Sequence, residues 1–342
     1  MDVVRPDALE DEAGRVLPPA TFAYYRQGAR DGVSAREAID AWSRFRLVPR
    51  VLRDVRTVSL STSLLGATYA APLGVAPTTL QRAAHPDGEL AMAAACAAVR
   101  VPMVLSSNAT ARFADVAATG ASWWFQAYLP QDRELARPML EEAVREGATA
   151  VVLTVDTPVV GTKYDAGNGS VWDDVPPEWL RVNLGRAADA SKARDLGPDD
   201  IGWLHDVTGL PVVPKGVLHP DDARACVDAG AAAVWVSNHG GRQLDRTLAT
   251  ADCLAGVVDA VGNEVEVYVD GGVRSGLSVL TALALGARAC FLGRLPLYAL
   301  AAGGDGGVRD LIQALMTELE EGLTLAGCAD PAAAGDLLVV RR

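Results

Sequence analysis

Eight short, nearly continuous apolar segments run along the chain, and they alternate with stretches in which apolar residues recur at helical spacing. The predicted strands are residues 72–77, 102–107, 123–129, 150–156, 211–215, 234–238, 265–270 and 289–293. The helical spacing is clearest in residues 87–99, 132–146, 221–229 and 276–285. Strands that are apolar throughout and separated by helices are typical of a parallel sheet covered on both faces.

The junctions between helices and strands support this order. Gly147, Gly230 and Gly286 each stand where a helix ends, and each is followed by alanine and then by an apolar segment. Glycine adopts the left-handed conformation that closes a helix at its C-terminal end. Eight such units predict an α/β protein with a closed (β/α)₈ barrel, the TIM barrel, rather than an open doubly wound sheet.

Two parts of the chain lie outside the repeating pattern. Residues 1–65 have a mixed helical pattern, which predicts an N-terminal helical appendage ahead of a barrel formed by residues 66–328. Residues 162–210 separate the fourth and fifth strands and are rich in Asp, Pro, Gly and Trp. Long connections of this kind often cover a site, so we predict a lid loop there. No separate linker interrupts the sequence, and residues 1–342 are predicted to be one domain.

Every predicted strand ends in polar or glycine-rich sequence. The residues at these ends are Thr78 and Thr79, Ser106 and Asn108, Gln126 and Tyr128, Thr154 and Asp156, Lys215, Ser237 and His239, Asp270 with Gly271 and Gly272, and Gly293 with Arg294. A barrel gathers all of these ends on one face, where the active sites of this fold lie. The pattern therefore predicts a single site built from all eight strands.

Among the four histidines, His239 has the surroundings expected of a functional residue. His85 and His219 each precede Pro-Asp at a predicted helix start, where a capping role is expected. His239 ends a strand and is followed by two glycines and Arg242. Asp156, at another strand end, can supply the negative charge that a general base needs nearby, and Arg242 suits a carboxylate ligand.

Composition and charge exclude several other classes of protein. The formal net charge is −12 with scattered basic residues, so nucleic acid is not an expected partner. The five cysteines are dispersed without a CxxC pair, which favours free thiols in a cytoplasmic protein. There is no apolar leader and no apolar run long enough to span a membrane. No His and Cys residues stand at ligand spacing, so we expect no metal site.

The last two barrel units carry sequences suited to a phosphate. DGGVRSG contains Arg274, and LGR ends in Arg294, so backbone amides and guanidinium groups are available together. Loops after the seventh and eighth strands of such barrels commonly bind phosphate. The GxGxxG pattern of a Rossmann dinucleotide site does not follow the first strand. A cofactor with one phosphate, FMN, therefore fits better than a dinucleotide.

Several motifs together resemble a known family. SNHGGRQLD, LPVVPKGV, TVDTP, DGGVRSG, ALGARACFLGR and HPDGE follow one another in the order found in the FMN-dependent 2-hydroxy acid oxidases and dehydrogenases. That family includes glycolate oxidase, lactate oxidase and mandelate dehydrogenase. The resemblance extends from about Leu17 to Cys328. It implies an FMN enzyme that oxidises an (S)-2-hydroxy acid to the 2-oxo acid, and it suggests a homotetramer.

The resemblance also implies roles for individual residues. His239 resembles the base that takes the substrate's hydroxyl proton, with Asp156 as its partner, and Lys215 resembles the lysine beside the flavin. Implied substrate contacts are Tyr24, Asn108, Tyr128, Lys163, His239 and Arg242, with Tyr128 also among the catalytic residues. Implied FMN contacts are Pro77, Thr78, Thr79, Ser106, Gln126, Thr154, Lys215, Ser237, Asp270, Gly271, Gly272, Arg274, Gly293 and Arg294.

The sequence departs from the family pattern around the substrate. Lys163 stands where the family has a second arginine, and lysine lacks the planar fork that holds a carboxylate. Thr79 replaces a small residue beside the flavin and can alter access of dioxygen. Asn108 replaces a bulky aromatic, which favours a substrate larger than glycolate, either mandelate-like or long-chain. Trp172 and Trp179 in the predicted lid are either core residues of the lid or walls of the pocket.

The sequence leaves four interpretations of function open. The first is an oxidase that passes electrons to dioxygen and releases hydrogen peroxide. The second is a dehydrogenase with the same first half-reaction and a quinone or protein acceptor. The third is an FMN barrel enzyme adapted to another reaction, such as isomerisation or peptide modification. The fourth is a barrel that binds ligands without catalysis.

Overall fold

A closed barrel of eight parallel strands forms the centre of the computed structural model, which describes residues 6–164 and 170–342. The strands, labelled here in barrel order, are β1 (Leu73–Val75), β2 (Met103–Ser106), β3 (Trp123–Ala127), β4 (Val151–Thr154), β5 (Val212–Val217), β6 (Ala233–Val236), β7 (Glu266–Val269) and β8 (Ala289–Leu292). Each pairs with the next, and β8 pairs with β1 to close the barrel. The predicted (β/α)₈ barrel and all eight predicted strands are confirmed.

Helices cover the outside of the barrel and follow every strand. After the N-terminal helices α1 (Pro6–Val16), α2 (Pro19–Arg26) and α3 (Val33–Ser43), the barrel helices are α4 (Gln81–Ala84), α5 (Gly88–Val99), α6 (Phe113–Ala117), α7 (Arg137–Arg145), α8 (Asp199–Thr208), α9 (Pro220–Asp228), α10 (Thr250–Val261), α11 (Gly276–Ala284) and α12 (Arg294–Ala326). None of these helices, within the described part of the chain, is long and apolar enough to cross a membrane.

The prediction of a lid loop over residues 162–210 includes a helix at the C-terminal end of that range. Helix α8 (Asp199–Thr208) lies within that range and packs on α7 and β5, so it is the barrel helix that follows β4. Its buried residues Ile201 and Leu204 cover the barrel, which every other strand also requires of its helix. The loop proper contains three short 3₁₀ turns, and residues 165–169 of the predicted lid lie outside the described residues.

Outside the barrel, the segment that follows α3 pairs with the C-terminal segment. Phe45–Val48 forms an antiparallel ribbon with Leu338–Arg341. A second ribbon, Thr62–Leu64 with Ala67–Tyr69, closes the N-terminal mouth of the barrel, because Leu64 and Tyr69 pack among its interior side chains. The predicted helical appendage therefore also contains strands.

Four large aromatic side chains fill the interior of the barrel. Trp124, Trp235, Tyr268 and Phe291 are fully buried, and the rings of Trp235 and Phe291 lie 4.1 Å apart between centroids. Trp124 contacts both Tyr268 and Phe291, at centroid separations of 5.6 and 5.4 Å. These rings fill the interior of the barrel, and the open space within it lies at the C-terminal ends of the strands.

Replacing Trp124 with alanine tests this packing. The change removes contacts with two rings and leaves a cavity, so we expect the free energy of unfolding to fall by about 3–5 kcal/mol. Chemical denaturation followed by circular dichroism measures it. The control is Leu248→Ala, at a side chain that is 64% exposed, and it should cost less than about 0.5 kcal/mol. Equal losses in the two variants would show that the interior rings do not dominate the core.

Candidate active site

The C-terminal ends of the strands open into a cavity of about 490 Å³. Helices α2 and α3 and the loop after β4 complete its wall. Most of the residues predicted from the sequence line it: Tyr24, Pro77, Thr78, Thr79, Ser106, Asn108, Gln126, Tyr128, Thr154, Lys163, Lys215, His239, Arg242, Asp270, Gly271, Gly272, Arg274, Gly293 and Arg294. Asp156 and Ser237 are not on the wall, and instead hydrogen-bond to residues that are.

His239 is held by both its backbone and its ring. It follows β6 in a left-handed conformation, with φ at +57°, and its amide donates to Ser237 Oγ at 3.1 Å. Its ring Nδ1 lies 2.9 Å from Asp156 Oδ1. Because a carboxylate accepts hydrogen bonds, Nδ1 carries the proton, and Nε2 is the nitrogen that can accept one from a ligand.

Asp156 stays ionised in this arrangement. Burial alone raises the pKa of its carboxyl, but the charge and hydrogen bond of His239, with the charge of Lys215, outweigh burial and lower the pKa. Gly216, next to Lys215, permits the close approach, since a Cβ there would lie 2.6 Å from Asp156 Cβ. The pair can therefore hold a proton on His239 and stabilise the resulting positive charge.

Lys215 belongs to a second buried network at the ends of β5, β6 and β7. Its ammonium lies 2.9 Å from Asp270 Oδ2 and donates to Ser237 Oγ, also at 2.9 Å. Ser237 Oγ in turn donates to Asp270 Oδ1 at 2.6 Å. Ser237 thus positions Lys215, Asp270 and the amide of His239 from beneath the cavity, and the structure does not place it on the wall.

Arg242 is anchored to the end of helix α2. Its Nη1 donates to the carbonyls of Tyr24 at 2.7 Å and Gln27 at 3.1 Å, and its guanidinium lies 5.0 Å from the centroid of the Tyr24 ring. Burial raises the pKa of the Tyr24 phenol, although Arg242 opposes the shift. Burial, with the charge of Asp156, likewise raises the pKa of Tyr128. Both phenols are therefore protonated hydrogen-bond donors beside a fixed cation.

Lys163 occupies the same side of the cavity as Arg242. Its half-buried ammonium donates to the carbonyls of Gly161 and Arg242, each at 2.5 Å. Burial and the neighbouring charge of Arg242 lower the pKa of Lys163 to about 8. Lys163 therefore keeps a positive charge near Arg242 at neutral pH, but its ammonium is already hydrogen-bonded to two backbone carbonyls.

The ends of β2, β3 and β4 form a chain of side-chain hydrogen bonds. Gln126 accepts from Ser106 Oγ at 3.2 Å and donates to Thr154 Oγ1 at 3.0 Å. Nearby, Thr79 Oγ1 donates to the carbonyl of Asn108 at 2.7 Å. This floor of the cavity is polar, fixed in orientation and able to offer both donors and acceptors to a ring with polar edges.

Two arginines and several glycines form the remaining end of the cavity. Arg274 pairs with Glu10 at 2.8 Å, and Arg294 donates to the carbonyls of Tyr25 and Gln27 at 3.0 and 3.2 Å. Burial lowers the pKa of Arg294 to about 10, with the charge of Arg242 adding to the shift. Gly272 has φ at +74°, and any Cβ there would overlap the carbonyl of Ala38.

Sequence reasoning missed several residues that complete the site. Thr157 donates to Asp156 Oδ1 at 2.9 Å and accepts from Gln243 Nε2 at 2.9 Å. Thr157 lies in the TVDTP motif and Gln243 in the HGGRQ motif, each next to a predicted site residue. That position in the sequence could have identified them. Lys192 was also missed, and it lines the cavity from the loop after β4, as does Trp172, which the sequence offered as a wall of the pocket. Trp179 instead packs against Leu80 and contacts the guanidinium of Arg82. Of the two expected roles, Trp172 is therefore a wall of the pocket and Trp179 a core residue of the loop.

The other histidines are distant from this chemistry. His219 is the N-cap of α9 and accepts from the amide of Asp221, as predicted. His85 Nδ1 accepts from the amide of Asp87 just before α5, which also agrees with a local capping role. His205 is bonded to the carbonyl of Leu210. Only His239 therefore reaches the cavity.

Comparisons with known proteins agree with this architecture and site. The family model for FMN-dependent dehydrogenase matches residues 13–341. The human 2-hydroxyacid oxidase 1 is 42% identical over 340 residues, covering 93% of this chain and 91% of the relative. The glycolate oxidase of Spinacia oleracea is 38% identical over 346 residues, covering 96% and 93%.

Solved structures of mandelate oxidase have the same fold. One, in complex with 2-hydroxy-phenylacetamide, superimposes with a TM-score of 0.91 at 37% identity and covers 99% of this chain and 98% of its own. A variant with (S)-mandelic acid gives a TM-score of 0.92 at 36% identity, covering 99% of both chains.

The barrel, its cavity and these relatives together identify the class of protein as a flavin-dependent oxidoreductase. The chain belongs to the FMN-dependent dehydrogenase family, and FMN is its cofactor. The residues present fit that group. The glycine-rich end with Arg274 and Arg294 suits the phosphate, and the polar floor at Gln126 and Thr154 suits the edge of the flavin ring.

Removing the charge of Arg274 tests the phosphate end. Arg274→Met should raise the dissociation constant for FMN about 10- to 100-fold, the range expected for a lost hydrogen bond to a charged group. Quenching of free FMN fluorescence on binding to the apoprotein measures it. Arg309→Met, on the exposed side of α12, should leave the constant unchanged. An unchanged constant in both variants would remove Arg274 from the phosphate site.

Proposed function

We propose that this chain oxidises a 2-hydroxy acid to the corresponding 2-oxo acid, with dioxygen as the final electron acceptor and hydrogen peroxide as the second product. The His239–Asp156 pair carries the proposal, because Asp156 holds His239 in one cavity with Arg242, two phenols and the residues that fit FMN. A base, a carboxylate-binding cation and an electron acceptor are the three requirements of this oxidation.

The protein's own residues account for binding and proton transfer. Arg242 and the phenols of Tyr24 and Tyr128 hold the substrate's carboxylate and hydroxyl by charge and hydrogen bonding. His239 Nε2 accepts the hydroxyl proton, and the ionised Asp156 stabilises the imidazolium that forms. FMN, when bound, supplies a two-electron acceptor for the hydride equivalent from the 2-carbon. The buried cation of Lys215 offsets negative charge in that region.

The substrate is proposed to be larger than glycolate, either mandelate-like or long-chain. Asn108 lines the cavity where the family resemblance implies a bulky aromatic side chain. Similarity to both glycolate and mandelate oxidases supports a 2-hydroxy acid without choosing its size. A quinone or a protein is the alternative acceptor, since Thr79 lines the cavity where the family resemblance implies a smaller residue beside the flavin. A cytoplasmic homotetramer also remains our proposal, and light scattering of the purified protein tests the assembly.

Anaerobic titration of the holoenzyme tests the reaction directly. Glycolate, lactate and mandelate are added in turn while the flavin spectrum is recorded. Loss of the oxidised flavin bands with lactate or mandelate supports the proposal, and reoxidation in air supports dioxygen as the acceptor. Slow reoxidation in air with rapid reoxidation by a quinone would replace the oxidase with a dehydrogenase. No reduction by these acids, nor by larger 2-hydroxy acids such as 2-hydroxypentanoate and 2-hydroxyglutarate, would contradict the proposed reaction.

Substitution of His239 tests the base. His239→Asn keeps a side chain that tolerates the left-handed backbone and removes the basic nitrogen. We expect FMN to remain bound and its reduction by substrate to slow by about 10²- to 10⁴-fold, measured in a stopped-flow spectrometer. His219→Ala, which removes only a helix cap, should reduce at the normal rate. Normal reduction in His239→Asn would refute the assignment.

The pKa of Lys163 predicts how substrate binding depends on pH. Since the pKa of Lys163 is lowered to about 8, its ammonium loses a proton as the pH rises through that value. The part of the cavity that binds the substrate's carboxylate, beside Arg242, then carries one positive charge less. The dissociation constant for substrate should therefore rise above pH 8 in the wild type. Lys163→Arg stays charged and should lack this rise between pH 7 and about 10. Parallel pH profiles would show that Lys163 does not contact the substrate.

A further inference from the structure

Lysine is confined to one place in this molecule. The chain has only three lysines among its 31 basic residues, Lys163, Lys192 and Lys215. All three line the cavity described above, while the basic residues elsewhere are arginines. Lys215 is paired with Asp270, and Lys163 is bonded to backbone carbonyls beside Arg242. Lys192 has no role in the proposed reaction.

The backbone around Lys192 is fixed to the barrel. Lys192 forms an antiparallel bridge with Pro130, just after β3. The amide of Gln131 donates to Ser191 and the amide of Ala193 donates to Leu129, each at 2.9 Å. These hydrogen bonds fix the backbone of residues 191–193 to the end of β3. The side chain of Lys192 therefore extends into the cavity from a fixed backbone position.

An ion-pair cluster next to this bridge adds a second anchor. Arg133 contacts Asp195 at 2.8 Å and Asp200 at 2.9 Å, which ties the segment to the start of α8. The pKa of Arg133 is raised above its usual value by its hydrogen bond to Asp200, as expected of a well-paired guanidinium. Lys192 is therefore carried by an ordered part of the loop.

The ammonium of Lys192 lies against the face of Tyr128. Its Nζ is 3.7 Å from the ring centroid, a cation–π contact. Within residues 6–164 and 170–342, its ammonium donates no hydrogen bond to a carboxylate, carbonyl or hydroxyl oxygen, and burial and the charge of Asp156 are what shift its pKa. Burial lowers its pKa, and the charge of Asp156 partly opposes this. A partly buried cation without a counterion is costly, and a bound anion would relieve that cost.

Lys192 is separate from the carboxylate clamp. The ammonium of Lys163 is hydrogen-bonded to the carbonyls of Gly161 and Arg242, whereas the ammonium of Lys192 lies against the ring of Tyr128. The two lysines therefore contact different residues of the wall. Asp270 is paired with Lys215, and Asp156 is hydrogen-bonded to His239. After one carboxylate has bound at Arg242, the ammonium of Lys192 is still available in the cavity, and its close contact is with the Tyr128 ring rather than with a carboxylate.

We propose that Lys192 binds a second anionic group of the substrate, so that the preferred substrates are 2-hydroxy dicarboxylic acids. One carboxylate lies at Arg242, and the distal carboxylate lies at Lys192 above the Tyr128 ring. The inference rests on the proposed function, which it narrows from 2-hydroxy acids larger than glycolate, mandelate-like or long-chain, to those with a negatively charged side chain. Lys192 is then the residue that sets this specificity.

Matched substrate pairs test the proposal on the FMN-loaded enzyme. 2-Hydroxyglutarate is compared with 2-hydroxypentanoate, and malate with 2-hydroxybutanoate, so that each pair differs in the distal carboxylate. Flavin reduction is measured for the wild type, Lys192→Met, Lys192→Arg and the control Arg194→Met. Arg194 is exposed and two residues away, so its variant changes the net charge equally outside the cavity.

The wild type should prefer the diacid in at least one pair. Lys192→Met should lower kcat/KM for that diacid about 10- to 100-fold and for the monoacid less than about threefold. Lys192→Arg should retain most of the preference, and Arg194→Met all of it. An equal loss for both members of a pair, or a wild-type preference for monoacids, would overturn the inference.

Binding without turnover separates this inference from the proposed reaction. Calorimetry compares 2-oxoglutarate with 2-oxopentanoate on the wild type and on Lys192→Met. Tighter binding of the oxo-diacid that disappears in the variant supports the anion site, even if no hydroxy acid reduces the flavin. In that case the proposed reaction fails and the site remains. Equal binding of the two oxo acids to the wild type would refute the anion-binding site at Lys192, whichever acid the enzyme oxidises.

Discussion

Closure of the parallel barrel is the constraint on which the rest of the structure depends. Once β8 pairs with β1, the C-terminal ends of all strands must converge on one face. Residues as distant in sequence as Thr78 and Arg294 then share a cavity. The interior aromatic rings fill the barrel below that face, so a ligand has no other place within the barrel to bind.

Most of the cations concentrated at this face have partners of their own. Asp270 pairs with Lys215, and Asp156 accepts a hydrogen bond from the ring of His239. The last turn of α2 supplies carbonyls to both Arg242 and Arg294, because the final carbonyls of a helix have no partners within it and carry partial negative charge. The N-terminal helices are therefore part of the site: they hold two guanidinium groups in place while leaving their charge available to ligands.

Where sequence interpretation was wrong, the cause was a pattern averaged over too long a segment. The composition of residues 162–210 is typical of a loop, yet the stretch after Pro198 begins with two acidic residues and continues with apolar residues at helical spacing. Those are helix-start signals. The requirement that β4, like the other strands, be covered by a helix would have identified α8. Lys192 lies in the same segment and was missed with it.

The sequence by itself determined the strands and the identity of most site residues. Buried parallel strands must be apolar throughout, and the polar residues that end them are therefore conspicuous. Only the tertiary structure decided which charges are paired. The contacts of Arg242 with α2, of Ser237 with Lys215 and of Lys192 with Tyr128 join distant segments, and no local pattern encodes such contacts. Pairing depends on packing in three dimensions, because electrostatic interactions act through space and not along the chain.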